Sequence, residues 1–281
     1  MNPYFIDEPA VIAFSGGRTS AFMLHQILNA HDGVLPFYVR VVFANTGREM
    51  PATLDFVEAC SQNWGVPIAW LQYAGRTQKE GSKNYDYRFE VVNYKTASRN
   101  GEPFELAISE IGSLPNSVSR WCTGQLKERT INRYASAEGF DLPLYTLIGI
   151  RADEQRRARK IHKKIIDQQD KFCPMVEAGH TKADVSAFWS SQNFDLGLPT
   201  VNGVTDWGNC DLCFLKGRSK RLSIVREAPH LADWWAQQEQ KIGDQFDRSS
   251  PSYAQMKIIA SDQGRLFDFE DGPEIDCFCG D

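Results

Sequence analysis

Residues 13–21 read AFSGGRTSA and lie where an apolar run gives way to a helical pattern. The apolar run, 10–14, predicts a buried strand, and the segment that follows predicts a helix at 19–30. Glycines at such a junction let the backbone approach an anion, and the N–H groups that start the helix favour negative charge. Three hydroxyls and one arginine add further donors. The stretch therefore predicts a phosphate site built from Ser15, Gly16, Gly17, Arg18, Thr19 and Ser20.

The first half of the chain alternates apolar segments with helical ones. Apolar strands that are covered on both faces are typical of a parallel sheet, so the order predicts an α/β fold with a doubly wound, mostly parallel sheet. After residue 150 helices dominate. Strands are predicted at 10–14, 39–44, 67–72 and 144–150, and helices at 19–30, 51–63, 124–138, 153–164, 181–192, 216–226 and 230–242.

This pattern divides the chain into two predicted parts. Residues 1–180 are predicted to form an α/β domain that holds the phosphate site, and residues 181–281 a mainly helical C-terminal region with a C-x-x-C motif and a cysteine-rich tail. Residues 74–104 are polar and rich in tyrosine. A segment of that length without clear periodicity is usually functional, so we expect a long loop or a small hairpin over the site.

Composition and charge exclude several classes of protein. The chain is 42% hydrophobic and 24% charged with a net charge of -5, which is unlike a protein that coats nucleic acid over its whole surface. No apolar stretch approaches the roughly 20 residues that span a bilayer. The first ten residues, MNPYFIDEPA, lack the basic start and apolar core of a signal peptide. These features predict a cytoplasmic protein that does not bind membranes.

The glycine loop resembles the S-G-G-x-D-S loop of the PP-loop ATP pyrophosphatase superfamily, whose members cut ATP between the α and β phosphates. Thr19 stands where that loop has an acidic residue. The resemblance implies ATP as the nucleotide together with Mg²⁺. The departure at Thr19 bears on whether a carboxylate assists the metal.

Three further segments resemble phosphoadenylyl-sulfate (PAPS) reductases in the same order along the chain. Residues 45–53 resemble their D-T-G…P-E-T pattern, with Asn45 in place of Asp. Residues 120–127, RWCTGQLK, resemble their cysteine-bearing segment, and 148–154, IGIRADE, resemble their G-x-R-x-x-E loop. On these motifs the chain is identified as a PAPS reductase-like protein with an adenine nucleotide alpha hydrolase-like fold.

The resemblance implies roles for particular side chains. The nucleotide, ATP or PAPS, would contact Asn45, Thr46, Gly47, Gly149 and Arg151 in addition to the glycine loop. Arg18, Lys127 and Arg151 would stabilise the charge that develops during catalysis, because fixed cations suit a reacting phosphate. The alternatives are a surface ion pair for Arg151 and a solvated helix position for Lys127.

Five of the seven cysteines are candidates for chemistry. The C-x-x-C at Cys210 and Cys213 is compatible with zinc, iron–sulfur or a redox dithiol. The resemblance implies a [4Fe–4S] cluster held by Cys122, Cys210, Cys213 and Cys277, with Zn²⁺ as the alternative for the same thiolates. It also implies Cys279 as a nucleophile, and Cys277 and Cys279 can exchange these roles. Cys60 and Cys173 are predicted to be packing residues.

Residues 156–164 carry six cations in nine positions. They predict either a solvated helix face or a cradle for a polyanion such as a nucleic-acid backbone. The leading hypothesis is therefore an enzyme that couples adenylation by ATP to sulfur transfer, with nucleic acid as an acceptor and a separate sulfur donor. The alternatives are thioredoxin-dependent reduction of PAPS to sulfite, and a nucleotide- or nucleic-acid-binding module without catalysis.

Overall fold

A computed structural model describes residues 2–161, 169–200 and 205–262. Its strands form one sheet, and they are β1 (Ala10–Ala13), β2 (Val39–Asn45), β3 (Ile68–Gln78), β4 (Tyr85–Val92), β5 (Leu144–Ile148) and β6 (Gln169–Phe172). The order across the sheet is β4-β3-β2-β1-β5-β6, and every neighbouring pair is parallel except β3 and β4. The predicted doubly wound, mostly parallel α/β sheet is confirmed.

Helices follow most strands and form the C-terminal region. They are α1 (Arg18–Ala30), α2 (Pro51–Trp64), α3 (Glu102–Ile111), α4 (Trp121–Thr123), α5 (Thr130–Ala137), α6 (Gln155–Ile161), α7 (Pro174–Glu177), α8 (Lys182–Ser190), α9 (Arg218–Glu227), α10 (Leu231–Ile242) and α11 (Tyr253–Ser261). A π-helical segment, Gly124–Arg129, joins α4 to α5. The helix predicted at 124–138 thus begins earlier and changes its winding at Gly124.

β1 lies in the middle of the sheet, between β2 and β5. Ile12 pairs with Val41 on one side and with Leu147 on the other. From β1 the chain builds outward through β2 and β3 to β4, and then returns to place β5 on the opposite side of β1. Ligands of open α/β sheets bind at the carboxyl ends of the strands where the order reverses in this way. That switch point lies beyond β1 and β5.

Both faces of the sheet are covered, as the apolar strands predicted. Ile12 packs in a cluster with α1, α2 and α8, while its neighbour Val11 packs in a second cluster with α5. A third cluster joins α3 to α9, α10, α11 and the C-x-x-C.

The domain boundary expected at residue 180 stays a prediction. Among the described residues, no helix combines the length and apolar character that crossing a membrane requires.

Two parts of the chain differ from the sequence-based expectation. Residues 74–104 contain the outer half of β3, the antiparallel strand β4 and the start of α3, so the hairpin alternative holds for their first half. β6 was not predicted, because its sequence QDKF is short and polar. It adds Lys171 to the sheet opposite Thr146 of β5.

Candidate functional site

The glycine loop folds back on itself at the start of α1. The Ser15 hydroxyl donates to Ser20 Oγ at 2.9 Å, and the Ser20 hydroxyl donates to the Gly17 carbonyl at 3.0 Å. Gly16 has φ +80°, and a Cβ there would lie 2.7 Å from Thr53 Cγ2. Since only glycine tolerates both the backbone angle and the contact, Gly16 fixes how closely the loop packs on α2.

The loop after β5 touches the start of α1. A Cβ on Gly149 would lie 2.9 Å from Ser20 Cα, so the absence of a side chain permits this approach. Arg151 follows, with 14% of its side chain exposed. Its Nη1 donates to Thr19 Oγ1 at 3.0 Å and its Nε donates to Asp153 at 3.2 Å. The structure thus brings the glycine loop and the loop at 148–154, two of the sequence motifs, into direct contact.

A pocket lies at the switch point, between the ends of β1 and β5 and the helix that runs through Gly124–Arg129. Its floor is apolar and includes Ala44 of β2 and Ile131 of α5. Some of its polar side chains were predicted from the sequence as site residues, and others were not. We call it the switch-point pocket, and its polar residues are Ser15, Ser20, Thr123, Lys127, Glu128, Thr146 and Lys171.

Two charged residues of this pocket were missed by sequence reasoning. Lys171 of β6 and Glu128 of the π-helical segment form an ion pair, and their side chains are 5% and 13% exposed. Lys171 lies on the strand that the sequence did not predict. Glu128 follows the predicted Lys127, but nothing in the sequence sets it apart from other charged helix residues.

Arg18 points to a different cleft. Its Nε donates to Asp195 Oδ1 at 2.6 Å, and its guanidinium also contacts Thr200. This second cleft is lined by Arg18, Thr19, Arg151, Lys182, Val185, Ser186, Trp189, Ser190, Asp195, Thr200 and Thr205. Gly17 precedes α1 in an extended conformation, with φ -101°. Four of the six predicted loop residues are therefore divided between these two cavities, with Ser15 and Ser20 in the first and Arg18 and Thr19 in the second, and Gly16 and Gly17 line neither of them.

The loop after β2 uses its polar groups within the protein. The Asn45 amide donates to Gln72 Oε1 at 2.8 Å and to the Ser98 carbonyl at 2.9 Å. The Thr46 hydroxyl donates to Glu49 Oε1 at 2.8 Å. None of Asn45, Thr46 and Gly47 lines the switch-point pocket. At Gly47, with φ +78°, a Cβ would come 3.0 Å from the backbone of residue 101.

The same loop contacts the C-x-x-C segment of the C-terminal region. Glu49 and Cys210 form an isolated antiparallel bridge, and the Asp211 N–H donates to the Arg48 carbonyl at 2.8 Å. The Thr46 Oγ1 lies 3.6 Å from Cys210 Sγ. Sequence reasoning missed this contact, because nothing in either motif indicates that the two meet.

Three candidate metal ligands pack in one apolar cluster. Cys210 and Cys213 are buried, and the half-buried Cys122 packs against the same cluster. The thiol chemistry suits iron–sulfur or zinc. However, no three His, Cys, Asp or Glu residues within 2–161, 169–200 and 205–262 are grouped as metal ligands. The described residues alone do not make a metal site, and the predicted Cys277 and Cys279 lie outside them.

The two remaining cysteines are packing residues, as predicted. Cys60 and Cys173 are fully buried. Burial raises the pKa of both thiols, to about 12 for Cys173. Since a thiolate is the reactive form, neither cysteine is suited to nucleophilic chemistry.

The basic run divides in the structure. Arg157 turns inward and pairs with Glu154, whereas Arg156, Arg159 and Lys160 are exposed on α6. Residues 162–164 lie outside the described part of the chain. The exposed cations form one helix face, which is compatible with both sequence-based alternatives for this run.

Comparison with known proteins extends these observations. Residues 9–195 match the phosphoadenosine phosphosulfate reductase domain family. An uncharacterized nin region protein of Escherichia phage lambda is 31% identical over 212 residues, covering 75% of this chain and 67% of the relative. An uncharacterized protein of Methanocaldococcus jannaschii is 26% identical over 242 residues, which cover 82% of this chain and 41% of that relative.

Structural comparison matches this chain to two solved structures, among others. The PAPS reductase of Candida auris, a phosphate complex, has a TM-score of 0.36 and 16% identity, with 66% of this chain and 72% of that one covered. The U34-tRNA thiolase NcsA of Methanococcus maripaludis, with its [4Fe-4S] cluster, has a TM-score of 0.40 and 13% identity, with 97% and 81% covered. By the extent of its family match, the chain belongs to the phosphoadenosine phosphosulfate reductase domain family.

Proposed function

We propose that this protein binds ATP in the switch-point pocket and couples adenylation to sulfur transfer. The observation that carries the proposal is the pocket itself. It places the hydroxyls of the folded glycine loop, Ser15 and Ser20, on one cavity with Lys127 and Lys171. The apolar floor suits a base, while hydroxyls and ammonium groups suit phosphates.

The reaction needs fixed positive charge near the phosphates. An acceptor oxygen attacks the α-phosphorus of ATP, its bond to the bridging oxygen breaks, and pyrophosphate leaves with the negative charge. Lys127 and Lys171 are candidates to stabilise that charge. A sulfur nucleophile from a donor then forms a carbon–sulfur bond to the acceptor, and the carbon–oxygen bond breaks to release AMP.

Mg²⁺ would accompany the phosphates in this proposal. Thr19 and Asn45 supply no carboxylate at the positions where the related motifs have one. The carboxylate that lines the pocket instead is Glu128, which pairs with Lys171. Mg²⁺ keeps several waters and needs only one or two carboxylates beside the phosphates, so Glu128 is our candidate for that contact.

The acceptor in our proposal is nucleic acid. Arg156, Arg159 and Lys160 present an exposed cationic face on α6, which would hold a phosphate backbone. α6 directly follows, in sequence, the loop in which Arg151 contacts Thr19 of the glycine loop. Binding through phosphates weakens steeply with salt, which gives the acceptor proposal a direct test.

The metal site formed by the cysteines is a separate proposal. Cys122, Cys210 and Cys213 would hold a [4Fe–4S] cluster with Cys277, and the thiolates supply the ligands that such a cluster takes. Each Cys→Ala change at the first three positions should remove most of the bound iron from protein purified without oxygen, while Cys60→Ala should leave it. About one zinc per chain, as a closed four-thiolate site holds, would replace the cluster in this proposal. Iron retained in all three variants would refute a shared site.

One experiment distinguishes the functional hypotheses. Protein purified without oxygen is titrated with ATP and PAPS by calorimetry, and is then assayed with ATP and small RNA for pyrophosphate and with PAPS and thioredoxin for sulfite. ATP binding with RNA-dependent pyrophosphate release is expected. Sulfite formation without ATP would identify a reductase instead. Nucleotide binding with neither product would favour a binding module, and no nucleotide binding would refute the proposal.

A further inference from the structure

The contact between the loop after β2 and the C-x-x-C is a buried ion pair as well as a backbone bridge. The Arg48 guanidinium pairs with the Asp211 carboxylate, and their side chains are 9% and 4% exposed. Asp211 lies between Cys210 and Cys213, so its position fixes the turn that presents both thiols. Removing one partner of such a pair leaves a buried charge without compensation.

Neighbouring groups hold both members of the pair in place. Asp211 Oδ1 accepts from Trp235 Nε1 at 2.8 Å and from the Leu212 N–H at 2.7 Å. The Arg48 guanidinium lies over the Trp234 ring, 5.0 Å from its centroid. Arg48 is thus joined through Asp211 to the turn that carries the two cysteines by a chain of directional contacts.

The loop that carries Arg48 begins where the switch-point pocket ends. Val42 and Ala44 of β2 line that pocket. The next residue, Asn45, is fully buried and hydrogen bonded to Gln72 of β3. Thr46 follows and lies 3.6 Å from the Cys210 sulfur. A continuous run of buried residues therefore connects the pocket wall to Cys210.

We propose that the Arg48–Asp211 pair couples occupancy of the switch-point pocket to the position of Cys210. Arg48, Asp211 and Thr46 are positioning residues in this proposal, and none of them contacts the nucleotide. The proposal rests on the proposed nucleotide site and adds a link between that site and the C-x-x-C. Such coupling is reciprocal, because a ligand that favours one position of Cys210 is itself favoured by that position.

The test measures alkylation of individual cysteines by iodoacetamide with peptide mass spectrometry, with and without saturating ATP. In the wild-type protein, stripped of bound metal by a chelator under anaerobic conditions so that Cys210 carries neither cluster nor zinc, ATP should slow alkylation of Cys210 by about fivefold or more, the lower end of typical coupling. In Asp211→Asn, ATP should still bind in calorimetry but leave the Cys210 rate unchanged. Thr46→Val removes the hydroxyl beside Cys210 and provides a second variant with the same expected loss.

Two internal controls separate coupling from general stabilisation. Cys60 and Cys173 are fully buried in other clusters, so a change confined to Cys210 and Cys213 is local. Asp247→Asn is the matched variant, because Asp247 pairs with Arg221 at 2.6 Å in the same C-terminal region without touching the C-x-x-C. This variant should keep the response to ATP.

The outcomes that overturn the inference are distinct from those that overturn the nucleotide site. ATP binding without any change at Cys210 in the wild-type protein overturns the coupling alone. So does an equal change at Cys60 and Cys173, or a full response in Asp211→Asn, because the proposal assigns the coupling to the Arg48–Asp211 pair. Failure of ATP to bind overturns the proposed function and this inference with it.

Discussion

Two loops that follow neighbouring strands resemble motifs of one family, yet they direct their polar groups differently. The loop after β1 contributes Ser15 and Ser20 to the switch-point pocket. The loop after β2 directs Asn45 to Gln72 and Thr46 to Glu49 and Cys210, within the protein. The first loop faces a cavity, and the second supports the C-x-x-C.

The difference shows what a motif can and cannot specify. Gly, Ser, Thr and Asn suit an anion site, and they also suit a tight turn with internal hydrogen bonds. The partners across the fold decide between these uses. For the loop after β2 the partners are Gln72 on β3 and Cys210 in the C-terminal region, and neither is adjacent in the sequence.

The largest expected effect is at Gly16. Gly16→Ala should lower the free energy of unfolding by about 3 kcal/mol, because it adds backbone strain and places a Cβ 2.7 Å from Thr53. It should also abolish ATP binding. The control is Gly33→Ala, which has a similar φ of +84° with no atom near its Cβ and should cost about 1 kcal/mol. Urea unfolding measures both, and equal losses would contradict the packing argument.

The loop after β2 is tested by Asn45→Asp, which restores the residue of the related motif. The carboxylate cannot donate to Gln72 or Ser98, so stability should fall by about 2 kcal/mol while ATP affinity changes less than about twofold. Asn63→Asp is the control, since Asn63 is exposed and makes one amide hydrogen bond, to Ala59. It should shift stability by less than about 0.5 kcal/mol. Tighter ATP binding in Asn45→Asp would mean that this loop faces the nucleotide after all.

Lys127→Met should weaken ATP binding and leave stability nearly unchanged, which is the reverse of the effect expected for Asn45→Asp. Loss of a charge-assisted contact weakens binding by about 1.5–3 kcal/mol, so ATP affinity should fall roughly tenfold to a hundredfold with little change in urea unfolding. Lys182→Met alters the second cleft and should leave ATP affinity nearly unchanged in calorimetry. A larger loss in Lys182→Met than in Lys127→Met would place the phosphates in the second cleft.

The smallest effect is expected at Ser15. Ser15→Ala removes a hydroxyl that donates to Ser20 at 2.9 Å, and ATP affinity should fall about threefold to tenfold, as for one neutral hydrogen bond. Ser82→Ala, in the turn between β3 and β4, removes a hydroxyl that accepts from the Asn84 N–H and should not change binding. If both variants bind ATP like the wild type, Ser15 serves only to shape the loop.

The sequence predicted the centre of the fold better than its edge. β1 and α1 were recognisable because an apolar strand, a glycine turn and a helical pattern follow one another. β6 was not, because an edge strand of four residues, QDKF, needs little hydrophobicity. Lys171 was therefore missed at the site, although Lys127, which lines the same pocket, was identified from a motif.

The contact between Arg48 and Asp211 lay outside the reach of sequence reasoning for another reason. A buried ion pair between residues so far apart has no periodicity and no spacing that could indicate it. Asp211 reads as a loop residue between two cysteines, and Arg48 as a turn residue. Only the packing of Trp234 and Trp235 around them shows that both charges are removed from water.

The central place of β1 has a consequence for synthesis on the ribosome. Val11 pairs with Arg40 of β2 on one side and with Thr146 of β5 on the other. The hydrogen bonds between β1 and β5 therefore await a strand that is made much later. Chain growth at about 5–20 residues per second leaves the edge of β1 exposed for several seconds at least. Until β5 emerges, the nascent chain has the glycine loop without the β5 residues that line the switch-point pocket beside it.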